Sequence, residues 1–210
     1  MKKTCKRLFA LLLAVIMVIG TIPMIAAADD PIVAKLTLFS YTKNCFDTGH
    51  SWLYFENLTD KNITVGVYTL EPGKAVSVGT FKNTRSDGAG VYYNVEAYCT
   101  AKYGSSGRVS LSETITASEL AKVNGIINSN NTWSLVHNCA WFAAKVWNSV
   151  SDIDVFSGST PSCLKTSMKV ESGYKTKTNA PMFAPAANQV YKQKGSTLVV
   201  VSSGSLKNPL

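Results

Sequence analysis

The chain is poor in the residues that most site chemistry needs. Only two histidines, His50 and His137, occur among its 210 residues, and none of its five cysteines stands in a CxxC spacing. That absence argues against a structural zinc site and against a thioredoxin-type redox pair. No internal repeat is present, so solenoid and propeller arrays do not fit. No stop-transfer segment follows the N-terminal apolar run, and no basic–aromatic motif suggests nucleic-acid binding.

What is present starts at the N-terminus. Lys2, Lys3, Lys6 and Arg7 precede an apolar run from Leu8 to Ile19, and Ala26-Ala27-Ala28 stands before Asp29. This pattern predicts a secretory signal peptide over residues 1–28, an exported protein, and one α+β domain over 29–210. The core is expected at about 32–170, with 171–210 as a C-terminal extension. No cysteine stands at the cleavage site, so a lipid anchor there is not expected. Four of the 21 basic residues lie in the leader, so the net charge of +8 falls to +4 without it. Seven of the remaining lysines lie in the last third, from Lys165 to Lys207, and read as a solvated basic tail with weak attraction to an anionic wall or membrane. Cys45, Cys99, Cys139 and Cys163 remain after cleavage, and an even count in an exported chain permits two disulfides in three connectivities.

Strands come first. Ile32–Tyr41, His50–Glu56, Ile63–Tyr68, Ala75–Phe81, Val91–Tyr98 and Arg108–Leu111 carry branched and aromatic residues between turn-rich breaks, and the second and third suggest a hairpin. Strict alternation puts His50, Trp52, Tyr54 and Glu56 on one face, and Ser51, Leu53 and Phe55 on the other. The half-polar Tyr92/Asn94/Glu96/Tyr98 face is expected to meet solvent. Helices follow. Thr116-Ala117-Ser118-Glu119 is a capping box for a helix to about Asn128, and Thr160-Pro161 opens another. Beyond Gly173 periodicity is weak until a late strand at 196–202. Strands before helices argue for α+β, with an antiparallel sheet against the helices.

Between those helices lies the stretch that could carry chemistry. Apolar or small residues at Cys139, Phe142, Ala143, Val146, Trp147 and Val150 mark one face of a helix, with Asn138 at the N-cap position. Cys139 therefore opens a helix, where unpaired N–H groups and the positive dipole end favour a thiolate. A thiol nucleophile needs a base within hydrogen-bond reach. His137 is two residues away and points elsewhere at a helix start, whereas His50 can be presented by a strand packed on the helix. The plainer readings are a buried Cys139 or half a disulfide, and a core His50.

Asn138-Cys139-Ala140-Trp141-Phe142, preceded by Gly49-His50-Ser51-Trp52-Leu53-Tyr54-Phe55 and followed by Thr160-Pro161-Ser162-Cys163-Leu164, resembles the motif order of circularly permuted papain-like cysteine hydrolases. That grouping includes permuted relatives of the NlpC/P60 peptidases and the lecithin:retinol acyltransferase-like enzymes. The resemblance spans about 50–168. It implies a permuted papain-like architecture and acyl transfer to Cys139 with His50 as base, without metal or cofactor. It further implies an oxyanion hole at the Cys139 N–H, aided by Asn138 or His137. These families often add an orienting third residue on the strand after the histidine, where this chain offers only Thr64, so the alternative is a Cys139–His50 dyad alone, with Asn94 and Glu96 as more remote candidates. Trp52, Tyr54 and Trp141 would line the substrate site. A cell-wall peptide or a lipid or acyl substrate would suit such a site. The competing class is an inactive binding module of the same fold, with Cys139 tied to Cys99 or Cys163.

Overall fold

A computed structural model describes residues 30–43, 49–82, 88–158, 160–180 and 189–202. The expected signal peptide, Cys45 and Lys207 lie outside them. Ten strands are formed among the described residues: β1 (Ile32–Tyr41), β2 (His50–Asn57), β3 (Ile63–Val65), β4 (Tyr68–Leu70), β5 (Ala75–Phe81), β6 (Gly90–Tyr93), β7 (Arg108–Thr116), β8 (Lys175–Thr176), β9 (Gln189–Lys194) and β10 (Thr197–Ser202). The helices are α1 (Glu96–Tyr103), α2 (Ala117–Ser129), α3 (Cys139–Trp147) and α4 (Pro161–Met168). Eight strands make one antiparallel sheet in the order β10-β9-β6-β5-β2-β1-β7-β8, and β3 and β4 pair separately. The fold is mixed α+β, built on a large antiparallel sheet.

The central strands are buried on both faces, so apolar residues of β1, β2 and β5 point to both sides and polar ones such as Ser40, Ser51 and Ser77 are buried among them. Leu36 and Leu38 of β1, Leu53 and Phe55 of β2, and Val76 and Val78 of β5 join Val123 and Ile127 of α2, Phe142 and Val146 of α3, and Leu164 and Met168 of α4 in one core. The alternate residues, Phe39 and Tyr41, Trp52 and Tyr54, and Phe81, pack with Val95, Cys99 and Tyr103 at α1 in a second, aromatic core. The sheet thus separates a helix-covered aliphatic layer from an aromatic one.

Local signals set the helix ends. Thr116 and Glu119 form the full reciprocal capping box of α2. Thr160 caps α4, whose first residue is Pro161. Where a strand was expected from Val91 to Tyr98, β6 stops at Tyr93. Asn94 adopts a left-handed φ of 58°, and α1 begins at Glu96. The expected solvent face is also reversed there, because Tyr92, Asn94 and Glu96 are buried. The segment Ile63–Tyr68 does not pair with β2. Gly66, with φ 61°, turns the chain back so that Ile63–Val65 meets Tyr68–Leu70. Nor is the C-terminal stretch only a solvated tail: β9 lies between β10 and β6, and Lys192 is buried with its ammonium over the Tyr92 ring.

Candidate functional site

α3 starts as its sequence requires. The Asn138 side-chain oxygen accepts from the N–H groups of Ala140 at 3.0 Å and Trp141 at 3.2 Å. Its amide donates to the Leu135 carbonyl at 3.0 Å, fixing the preceding turn. Ala140, Phe142 and Ala143 seat the helix on the aliphatic core, and Cys139 comes to the backbone of β2.

The thiol accepts from the N–H of Ser51, and its charged form is favoured also by the N–H groups of Ala140 and Cys139. Ser51 has this N–H to give because the β2–β5 ladder ends at Leu53↔Val78, leaving His50–Trp52 and Gly79–Phe81 outside the paired register. The sulfur therefore sits at a seam where two central strands part. A charge on it would also bear on Cys99 and Tyr103, which belong to the aromatic layer. Cys139 is only 6% exposed, and burial outweighs the helix start: the thiol is pushed up to about 11. The expectation of a lowered thiol pKa is corrected here, because desolvation of the thiolate exceeds what three N–H donors and the dipole return. Cys99, Cys139 and Cys163 are all free thiols, so neither pairing considered for Cys139 with Cys99 or Cys163 is formed.

His50 is fully buried. Its ring lies 4.4 Å from that of Phe81, 5.9 Å from that of Trp52 and 6.2 Å from that of Tyr103, so it belongs to the aromatic layer, opposite the face that α3 covers. Neither ring nitrogen has a hydrogen-bond partner among the described residues. Burial pushes the imidazole down to about 3, so it is neutral at physiological pH. Gly79 makes room for it, since a Cβ there would stand 3.4 Å from Nε2 and 3.3 Å from the Trp52 Cβ. Thr80 is a third buried polar side chain beside the seam, and its hydroxyl also lacks a partner among the described residues. Continuing the register from Leu53↔Val78 sets Thr80 across from Ser51.

The other candidates are dispersed. His137 is exposed, and its ring lies 4.2 Å from that of Trp141. Thr64 is exposed on β3, which pairs with β4 in a sheet separate from that of β2, and its carbonyl accepts from Asn124. Trp52 and Tyr54 are buried in the aromatic layer rather than facing substrate. Trp52 donates to Glu96 at 2.8 Å, and Tyr54 forms part of the wall of a groove of about 290 Å³ with Lys35, Thr37 and Lys175.

Beside Trp52 lies a charged pair that no local sequence pattern reveals. Arg108 donates to Glu96 at 2.6 Å, both side chains are essentially buried, and Thr100 bonds to both. The guanidinium stands 4.7 Å from the Trp52 ring centroid. Glu96, a remote candidate for orienting the base, instead has Trp52 and Arg108 as partners. Among the described residues no group of three or more His, Cys, Asp or Glu could hold a metal ion. No helix of the described residues is long and apolar enough to cross a membrane. No protein-family model, curated protein or solved structure matches the chain.

Proposed function

We propose that the chain is a cysteine acyl-transfer enzyme, a hydrolase or acyltransferase of the permuted papain-like kind, exported and acting on an amide or ester with Cys139 as nucleophile and His50 as base. The observation that supports this most is the helix-start thiol of Cys139 set against the N–H of Ser51, the chain neighbour of His50, whose imidazole has no hydrogen-bond partner among the described residues. Burying a polar group without a partner costs about 1–3 kcal/mol, and His50 and Thr80 together leave three such atoms, on the two faces of the strands that part at the seam. A working role explains why the fold keeps them.

In the closed state the thiol holds its proton and the imidazole is neutral. Proton transfer needs the seam to open or a substrate to enter, because hydration raises the imidazole and lowers the thiol together. The Cys139 sulfur then attacks the carbonyl carbon, His50 takes the thiol proton, and the leaving group departs to give a thioester. Water, an amine or a hydroxyl accepts the acyl group. The N–H group of Cys139 is the available oxyanion donor, since that of Ala140 is held by the Asn138 cap. A cell-wall peptide suits an exported enzyme with a small positive charge, and an aliphatic acyl group suits the nearby apolar surface.

Intact-mass detection of an acyl adduct tests this reading. The purified protein is mixed with a p-nitrophenyl ester or a peptidoglycan stem peptide and quenched in acid. An adduct on Cys139 that is lost in Cys139→Ala and forms at least about 100-fold more slowly in His50→Ala is expected. Absence of any adduct across both substrate types, or an adduct rate untouched by His50→Ala, defeats the assignment. The near-complete burial of both residues favours a second reading, a binding module of the same fold in which the seam never opens. In that case Cys139 stays unacylated under every condition that leaves the protein folded.

A further inference from the structure

The turn that leads into α3 presents two aliphatic side chains to solvent. Leu135 is 70% and Val136 61% exposed. The turn is fixed by its own bonds. The Ser134 N–H donates to the His137 carbonyl at 3.1 Å, the His137 N–H donates to the Ser134 hydroxyl at 2.9 Å, and Asn138 holds the Leu135 carbonyl. The two apolar side chains are thus displayed on a preformed tip, so docking them orders little further backbone.

The surroundings of that tip are amphipathic in a particular way. Trp133 and Trp141 flank it, each partly exposed, and each has a lysine ammonium over its ring: Lys82 at 5.6 Å from Trp133 and Lys145 at 4.6 Å from Trp141. From Asn130 to Ser151 there is no Asp or Glu. Aliphatic tips beside tryptophans and long lysines are the combination that settles at a bilayer interface. The aliphatic groups enter the acyl boundary, the indoles stay at headgroup depth, and the ammonium groups meet lipid phosphates. The local charge is of one sign and complements an anionic leaflet.

We propose that the Trp133–Trp141 surface, with Leu135 and Val136 at its tip, docks on an anionic lipid bilayer. Docking there brings the start of α3, and with it Cys139, to the membrane surface. The inference is independent of whether Cys139 reacts, and it goes beyond the catalytic reading by giving the protein a site of work.

Vesicle co-sedimentation tests it. The protein and a Leu135→Ser/Val136→Ser variant are mixed with phosphatidylcholine vesicles and with mixed phosphatidylcholine–phosphatidylglycerol vesicles, at low and high salt. Both proteins carry the same N-terminus, so their difference reads the turn alone. Expected are binding to the mixed vesicles, a loss of about tenfold or more in the double variant, and a several-fold weakening by salt or by Lys145→Ala. A blue shift of tryptophan emission on binding places Trp133 and Trp141 at the interface. Equal binding by wild type and double variant, or none to either vesicle, overturns the proposal. So does self-association through this surface in place of vesicle binding, read by analytical ultracentrifugation. Because the variant changes no residue assigned to chemistry, the acyl-adduct assay and the vesicle assay fail separately.

Discussion

The Cys139 thiol takes its hydrogen bond from the backbone of Ser51, so a helix start and a strand opening meet at a single sulfur. Desolvation nevertheless wins, and the thiol ionises near 11 rather than at its ordinary value of 9.0. At pH 7 the thiolate fraction is then about 100-fold smaller than in the unfolded chain. Alkylation of Cys139 by iodoacetamide, followed by peptide mass spectrometry from pH 7 to 11, is expected to be at least that much slower in the native protein. The rate should climb steeply above pH 9. A native rate equal to the unfolded one at pH 7 would show that the dipole and the three N–H groups prevail over burial.

His50 makes acid stability testable. The unfolded imidazole binds a proton near 6.5, whereas the native one does so only near 3. Between those values the unfolded state carries the extra proton, so stability rises with pH across the window. The contribution is complete above about 6.5 and is lost as pH falls toward 3, on the order of a few kcal/mol in all. His50→Phe keeps a flat ring among Trp52, Phe81 and Tyr103 and removes two unpartnered nitrogens. Urea unfolding at pH 7 and pH 4 should show a smaller drop for the variant than for wild type. Identical drops would mean that the native imidazole protonates normally.

The Glu96–Arg108 pair should behave as a buried ion pair does. Removing one partner strands the other charge, so Arg108→Met or Glu96→Gln is expected to cost about 3–5 kcal/mol in urea unfolding. Glu96→Gln can keep an acceptor for the Trp52 indole, which separates the charge from the hydrogen bond. A double-mutant cycle gives the coupling energy. Single losses below about 1 kcal/mol would place the pair in contact with water, contrary to its burial.

Much of this arrangement is legible in the sequence where the signal is local. Caps at Thr116, Asn138 and Thr160 depend on bonds within a few residues, and each helix starts where its cap predicts. The alternation in β2 correctly sorts Trp52 and Tyr54 from Leu53 and Phe55. What fails is what depends on distant partners. Glu96 reads as a solvent-facing strand residue until Arg108, twelve positions on, supplies its charge. Ser51 has an N–H to offer only because the β2–β5 ladder stops short, which no periodicity reveals. A hairpin between β2 and the Ile63–Tyr68 segment would set Thr64 on the strand beside that of His50, but Gly66 folds that segment back on itself instead. The one clue available for the aromatic layer is that His50, Trp52 and Tyr54 share a face with Tyr41 and Phe39 of the register-paired strand.

Asn138 separates capping from thiol chemistry. Asn138→Ala loses the acceptor for the Ala140 and Trp141 N–H groups and the donor to Leu135, and is expected to destabilise by about 1–2 kcal/mol. Asn138→Asp keeps the acceptor and adds a negative charge at the positive end of α3, which favours the helix, while losing the donor to Leu135. Its stability should stay within about 1 kcal/mol of wild type. That same charge next to Cys139 opposes the thiolate, so alkylation of Cys139 should slow further although the helix is intact. Stability and reactivity therefore part company in Asn138→Asp and fall together only where the cap is lost. If Asn138→Asp alkylates as fast as wild type at equal stability, the thiol does not sense the helix start, and its reactivity is governed by access through the seam alone.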